Sequence, residues 1–175
     1  LGELGRGGMG VVYEAEQDEP RRRVALKVVR SDLSSRDMLR RFRHEAHILG
    51  HLQHPGIAQI FEAGQALVGG VNRPFFAMEH IDGLALHRHA TECGLTISQR
   101  VELMARVADA VQHAHRKGVI HRDLKPANIL VVAMPADSIG QPKILDFGVS
   151  RLIERGDRTR TEATHAGSFL GTIAY

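Results

Sequence analysis

The 175 residues predict an α+β fold in two parts. A β-prone front with one helix is expected over 1–81, and a mostly helical back over 82–175. Three observations carry this expectation. The opening thirty residues alternate apolar and polar side chains between glycine-rich and polar turns. Two later segments repeat apolar residues every three or four positions. Asp82-Gly83 then divides the strand-rich composition from the helical one.

A strand at 10–16 is β-prone through Val11, Val12 and Tyr13, and a polar turn at 17–22 holding Pro20 leads into a strand at 24–29. In that run Val24, Leu26 and Val28 share one face, and Ala25, Lys27 and Val29 share the other. Ser34 or Ser35 can cap a helix reaching about residue 52, with Leu39, Phe42, Ala46 and Leu49 along its apolar side. Two more strands follow at 58–63 and 75–81, joined by a glycine-rich linker over 64–73 that predicts a loose hairpin tip. Thr96 and Gln99 have the spacing of a capping box for a helix through Lys117, with Val101, Met104, Ala108 and Val111 as the expected buried stripe. Gly118 stops that helix, after Arg116 and Lys117 near its negative end. Strand-rich pieces at 129–132 and 143–145 and a polar, Thr-rich tail from 151 complete the chain.

Composition narrows the class. Hydrophobic residues at 43% and charged residues at 25% suit a soluble globular chain and argue against disorder. No apolar run approaches bilayer length and no signal peptide is visible, so a cytoplasmic location is expected, with any membrane tether in a segment outside this sequence. The chain begins at Leu1 rather than Met, which suggests a longer parent. The single cysteine, Cys93, cannot form an internal disulfide, which fits a reducing compartment. Arginines cluster at 21–23 and again at 36, 40, 41 and 43, but aromatics are only 5% and none interleave with the first cluster. These are read as solvated faces, and no nucleic-acid partner is expected. His47 and His51 stand four apart on a helix, a spacing that can hold zinc. No His-Glu-x-x-His motif or cysteine pair accompanies them, so His44, His47, His51 and His54 are not read as ligands.

The pattern Gly5-x-Gly7-x-x-Gly10 fits two unrelated nucleotide-binding designs. A dinucleotide fingerprint requires a helix directly after the glycines, whose N-terminus holds the pyrophosphate. Here Gly10 runs into Val-Val-Tyr-Glu-Ala-Glu, a strand, and the position about twenty residues on offers Lys27 rather than an acidic residue. A glycine hairpin followed by a strand lysine suits phosphates instead.

The order Gly5-x-Gly7-x-x-Gly10-x-Val12, Val24-Ala25-Leu26-Lys27, His121-Arg122-Asp123-Leu124-Lys125-Pro126-Ala127-Asn128 and Asp146-Phe147-Gly148 resembles the eukaryotic-type protein kinases. The resemblance covers nearly the whole chain, and the Gly-Gly-Met-Gly-Val-Val-Tyr wording is most similar to bacterial Ser/Thr kinases. It implies a bilobal fold, with an N-lobe at 1–81 and part of a C-lobe at 82–175. It implies ATP and Mg²⁺ as cofactors, with Mn²⁺ as an alternative ion, and protein Ser/Thr hydroxyls as acceptors.

Roles follow residue by residue from that resemblance. Lys27 would reach the α and β phosphates, paired with Glu45; Glu45 also lies on the apolar side of its helix, where a lone carboxylate is costly. Asp123 would orient the acceptor hydroxyl and take its proton, Lys125 would neutralise the moving phosphoryl group, and Thr172 would brace Asp123. Asn128 and Asp146 would hold the metal. Leu4, Gly5, Gly7, Gly8 and Gly10 would cover the nucleotide. Val12, Ala25 and Leu130 would sandwich adenine, with Met78 as gatekeeper and 79–81, from Glu79 to Ile81, as the hinge. Leu49, Ile60, His121 and Phe147 match the stack that the family aligns in its active state. Arg122 suggests control by phosphorylation, with Thr159, Thr161, Thr164 and Ser168 as candidates and self-association as one route to it.

The sequence ends at Tyr175, where the family continues, so the later C-lobe helices are absent from it. The chain alone is therefore expected to be aggregation-prone and poorly active. A pseudokinase or ATP-binding scaffold, or a catalytically incompetent fragment, stays as the alternative reading.

Overall fold

Five antiparallel strands form the front of the molecule. They are β1 (Glu3–Gly7), β2 (Gly10–Gln17), β3 (Arg22–Val29), β4 (Ile60–Val68) and β5 (Val71–Glu79), in the sheet order β1-β2-β3-β5-β4. The helix α1 (Arg36–Gly50) packs beside β4. This computed structural model describes residues 2–8, 10–30, 36–135 and 137–147, and within α1 it leaves aside the side chains at 36–39, 41 and 45.

In β3 Lys27 and Val29 are buried on one face, and Val24 is buried on the other. Phe42, Ala46 and Leu49 of α1 are buried as their spacing required, while Ser34, Ser35 and Leu39 fall outside the described set. The linker at 64–73 differs from expectation. Most of it is strand, and β4 and β5 pair down to Val68 and Val71 across a tight turn at Gly69 and Gly70, whose φ angles are +60° and +79°. Two consecutive positive φ values match the twist of a hairpin, so two glycines suffice and the β-prone Ala66, Leu67 and Val68 extend the ladder.

The back of the molecule carries a second, smaller sheet of β6 (Leu84–Ala85), β7 (Ile129–Met134) and β8 (Asp137–Ile144). A short helix α2 (Leu86–Glu92) precedes the long α3 (Ile97–Arg116), and a 3-10 turn (Pro126–Asn128) leads into β7. The sequence pattern did not separate β6 and α2 from the longer helix. The capping box is formed: Thr96 Oγ1 accepts from the Gln99 N–H, and Gln99 Oε1 accepts from the Thr96 N–H. At the other end Gly118 takes a φ of +75°, and the N–H groups of Gly118 and Val119 close on the carbonyls of His115 and Ala114.

The buried stripe of α3 is not the expected one. Leu103, Val107, Ala110 and Ala114 are buried, whereas Val101 is 64% exposed and Met104 49% exposed. The helix is apolar on two sides, and β8 covers the side of Leu103 rather than that of Val101. Spacing identified an apolar stripe without deciding which one the sheet would claim.

One hydrophobic core joins front and back. Val29, Phe42, Leu49 and Phe76 from the front cluster with Val107, Ala110, Ile129, Ile144 and Phe147 from the back. Main-chain bonds reinforce the seam, where the Ala58 N–H donates to the Ile144 carbonyl at 2.9 Å and the Ile144 N–H donates to the Gly56 carbonyl at 2.9 Å.

Candidate active site

Between the two sheets lies a cleft of about 660 Å³. Its roof is the β1–β2 hairpin, with Leu4, Gly5, Gly7, Gly8 and Gly10 on the wall. Gly10 is a steric necessity, because a Cβ there would stand 2.1 Å from the Val28 carbonyl oxygen. Val12 and Ala25 line the cleft from β2 and β3, and Leu130 faces them from β7. Met78, Glu79 and Ile81 line its inner edge, where β5 ends. Glu45 aside, the residues expected to share a site from positions 4 to 146 are thus assembled around one space. His80, within the expected hinge, lines it too, and so do Arg6, Ala127 and Leu145, which were given no role from the sequence. These three fall between motif positions and carry no pattern of their own.

Lys27 is almost fully buried, at 4% exposure, and its Nζ lies 2.6 Å from Asp146 Oδ2. Burying an ammonium is costly without a counter-charge, so this pairing explains how a lysine is tolerated within a strand. The expected partner Glu45 lies outside the described side chains, as does Thr172 along with Thr159, Thr161, Thr164 and Ser168. Asp146 has a φ of +57° and Arg122 a φ of +70°. Left-handed backbone at a residue other than glycine costs on the order of 1–2 kcal/mol and persists where neighbours over-determine it.

Those neighbours are visible. The His121 ring bridges both loops: its Nε2 donates to the Leu145 carbonyl at 2.8 Å, and its Nδ1 accepts from the Asp123 N–H at 3.3 Å. One nitrogen donates and the other accepts, which only a neutral imidazole can do. Burial pushes the His121 imidazole below its usual value, outweighing the Leu145 carbonyl and the nearby Asp146 and Asp123 carboxylates. Its ring meets Phe147 edge to face at 4.8 Å. Phe147 in turn shares a small apolar space with Leu49, Ile60 and Met78, so the four stacked positions do come together.

Asp123 sits at the cleft floor beneath two donors. Lys125 Nζ lies 2.8 Å from its Oδ2, and Asn128 Nδ2 donates to its main-chain carbonyl at 2.7 Å and to Oδ2 at 3.3 Å. Because the Asn128 nitrogen is engaged with Asp123, its amide oxygen is the atom left for a cation. Asp146 and Asn128 line the same cleft, an oxygen donor set suited to a hard divalent ion. Among the described residues no group of three His, Cys, Asp or Glu side chains could hold a metal by protein ligands alone.

A family model described as the protein kinase domain matches residues 1–175. The chain belongs to the protein kinase domain family.

Named relatives agree. This kinase domain is 35% identical over 175 residues to the serine/threonine-protein kinase PknA of Mycobacterium tuberculosis, covering 98% of this chain and 38% of that protein. It is 34% identical over 174 residues to the serine/threonine-protein kinase PrkC of Bacillus subtilis, covering 98% of this chain and 25% of that one. Among solved structures it is similar to the Mycobacterium tuberculosis PknI kinase domain, with a TM-score of 0.63 and 28% identity over 85% of this chain and 58% of that chain. The chain thus spans well under half the length of these curated relatives.

Proposed function

We propose that this domain transfers the γ-phosphoryl group of ATP to serine and threonine hydroxyls of protein substrates. The observation that carries the reading is the convergence of Lys27, Asp123, Lys125, Asn128 and Asp146 on one cleft. A volume of about 660 Å³ also lies within the usual range for small-molecule and cofactor sites. The adenine would lie between Val12, Ala25 and Leu130, against Met78. The Glu79 N–H already donates to the Gln59 carbonyl at 2.8 Å, so the base edge would meet the Glu79 carbonyl and the main chain of residues 80 and 81.

Asp146 and the Asn128 amide oxygen would hold Mg²⁺ or Mn²⁺, with phosphates and water completing the shell. When bound, the ion neutralises charge on the phosphates. The protein groups divide the remaining work. Lys27 would leave Asp146 to meet the α and β phosphates. Asp123 would orient the acceptor hydroxyl and take its proton as the oxygen–phosphorus bond forms and the β–γ bridge breaks, releasing ADP. Lys125 would offset charge on the group in transit. Arg122, exposed beside Asp123, would answer a phosphate placed on Thr159, Thr161, Thr164 or Ser168, with self-association as a route to that modification.

The test is transfer of labelled phosphate from ATP by the intact protein, with Asp146→Asn as the comparison. Turnover is expected in the wild type, and a loss of at least about a hundredfold in the variant. A protein that binds ATP with the metal yet transfers nothing would establish the scaffold reading instead. Mass spectrometry of fully active protein carrying no phosphate in the 148–171 segment would sink the activation mechanism.

A further inference from the structure

We propose that Lys143 is a positioning residue: through its ion pair with Glu79 it fixes the base-binding edge of the cleft to the strand that presents Asp146. The proposal rests on the nucleotide-binding reading above. Lys143 Nζ lies 2.7 Å from Glu79 Oε1 and 2.8 Å from Oε2, a two-point contact between side chains only 16% and 28% exposed. Glu79 ends β5 at the inner edge of the cleft, and Lys143 stands on β8 three positions before Asp146.

The pair closes a ring of hydrogen bonds. The Glu79 N–H donates to the Gln59 carbonyl at 2.8 Å, and the Gln59 N–H donates back to Glu79 Oε2 at 3.2 Å. One residue earlier, the Ala58 N–H donates to the Ile144 carbonyl, while the Ile144 N–H reaches the Gly56 carbonyl. The 56–59 loop is thus tied by main chain to both β5 and β8, and Lys143 supplies the direct link between those two strands. Beyond it the Leu145 N–H donates to the Asn128 carbonyl at 2.8 Å, so the tie continues to both proposed metal-holding residues.

The consequence is a fixed distance between two anchor points. A nucleotide gripped at its base by β5 and at its phosphates by Asp146 reacts only when both grips are in register. Misplacement by about an ångström can cost on the order of a hundredfold in rate. Loosening the ring should therefore lower kcat while each grip alone still binds.

Four variants of the full-length protein decide the matter. Lys143→Met should lower kcat about tenfold or more, with the KM for ATP within about threefold of wild type. Lys143→Arg, which can keep a two-point contact, should retain most of the activity. The Glu79→Lys/Lys143→Glu exchange should recover part of the loss. Glu79→Gln/Lys143→Met leaves no unpaired charge, so its Tm should stay near wild type while kcat remains low. Lys143→Met with wild-type kcat, or a double neutral variant recovering full kcat, overturns the proposal. A wild type without turnover sinks the kinase reading alone, since a binding readout remains. The affinity of ATP with Mg²⁺ relative to adenosine should then fall about twofold to threefold in Lys143→Met, and an unchanged ratio overturns the inference.

Discussion

Gly10 and Asp146 occupy backbone positions that other residues would strain, for different reasons. Gly10 sits where β2 passes close under β3, and any Cβ must push the Val28 carbonyl away. Gly10→Ala should destabilise the fold by about 1–3 kcal/mol, read from urea unfolding, because the obstructing atom is main chain and cannot rotate aside. An unchanged midpoint would show that the strands separate easily. Asp146 instead holds a left-handed turn that aims its carboxylate at Lys27. Aspartate tolerates that conformation better than most residues, so the position suits both the backbone and the charge.

At the scale of elements, α3 shows how local and tertiary signals divide. Its ends are locally specified. Thr96→Ala removes the side-chain acceptor for the Gln99 N–H and should cost about 1 kcal/mol, measured by thermal or denaturant unfolding. Its faces are not locally specified, and the result is that Ile97, Val101 and Met104 stay exposed. Replacing Val101 and Met104 by Lys should change stability by no more than about 0.5 kcal/mol, since neither side chain is buried. The same change should reduce self-association in sedimentation at rising concentration. Unaltered association would place the sticky surface elsewhere, for example at Leu67, Val68 and Val71 around the β4–β5 turn.

For the whole molecule, the shared core makes stability sensitive to groups at the seam. Burial holds His121 below the usual imidazole value, and burial with the nearby Lys117 cation does the same to His113. As pH falls below about 6.5 the unfolded chain takes up protons at these rings that the folded chain resists. The unfolded state then binds more protons, so stability falls with falling pH in that window. Asp137 has a separate window. Arg106 holds its carboxyl below the usual range, so its contribution is present above the unfolded carboxylate value of about 3.9 and is lost as pH drops through the lower folded value. Thermal melts from about pH 8 to 3 should show both losses. His121→Asn should flatten only the upper one, and identical slopes in variant and wild type would remove His121 from the account.

The sequence alone pointed to side chains that line the cleft and to most of the elements around it. Asp123 with Lys125 and Asn128, and Asp146 before Phe147, were legible through their resemblance to the protein kinase motifs, and the strand face of Lys27 through alternation, which spacing along the chain fixes. The capping box at Thr96 and the stop at Gly118 were legible for the same reason. Tertiary structure decided what depends on a neighbour distant in sequence. It chose Leu103 over Val101 as the buried stripe of α3, turned most of the 64–73 linker into paired strand, and set Lys143 against Glu79. The physical reason is that a helix with two apolar sides, or a lone charge in a strand, has no preferred partner until packing supplies one.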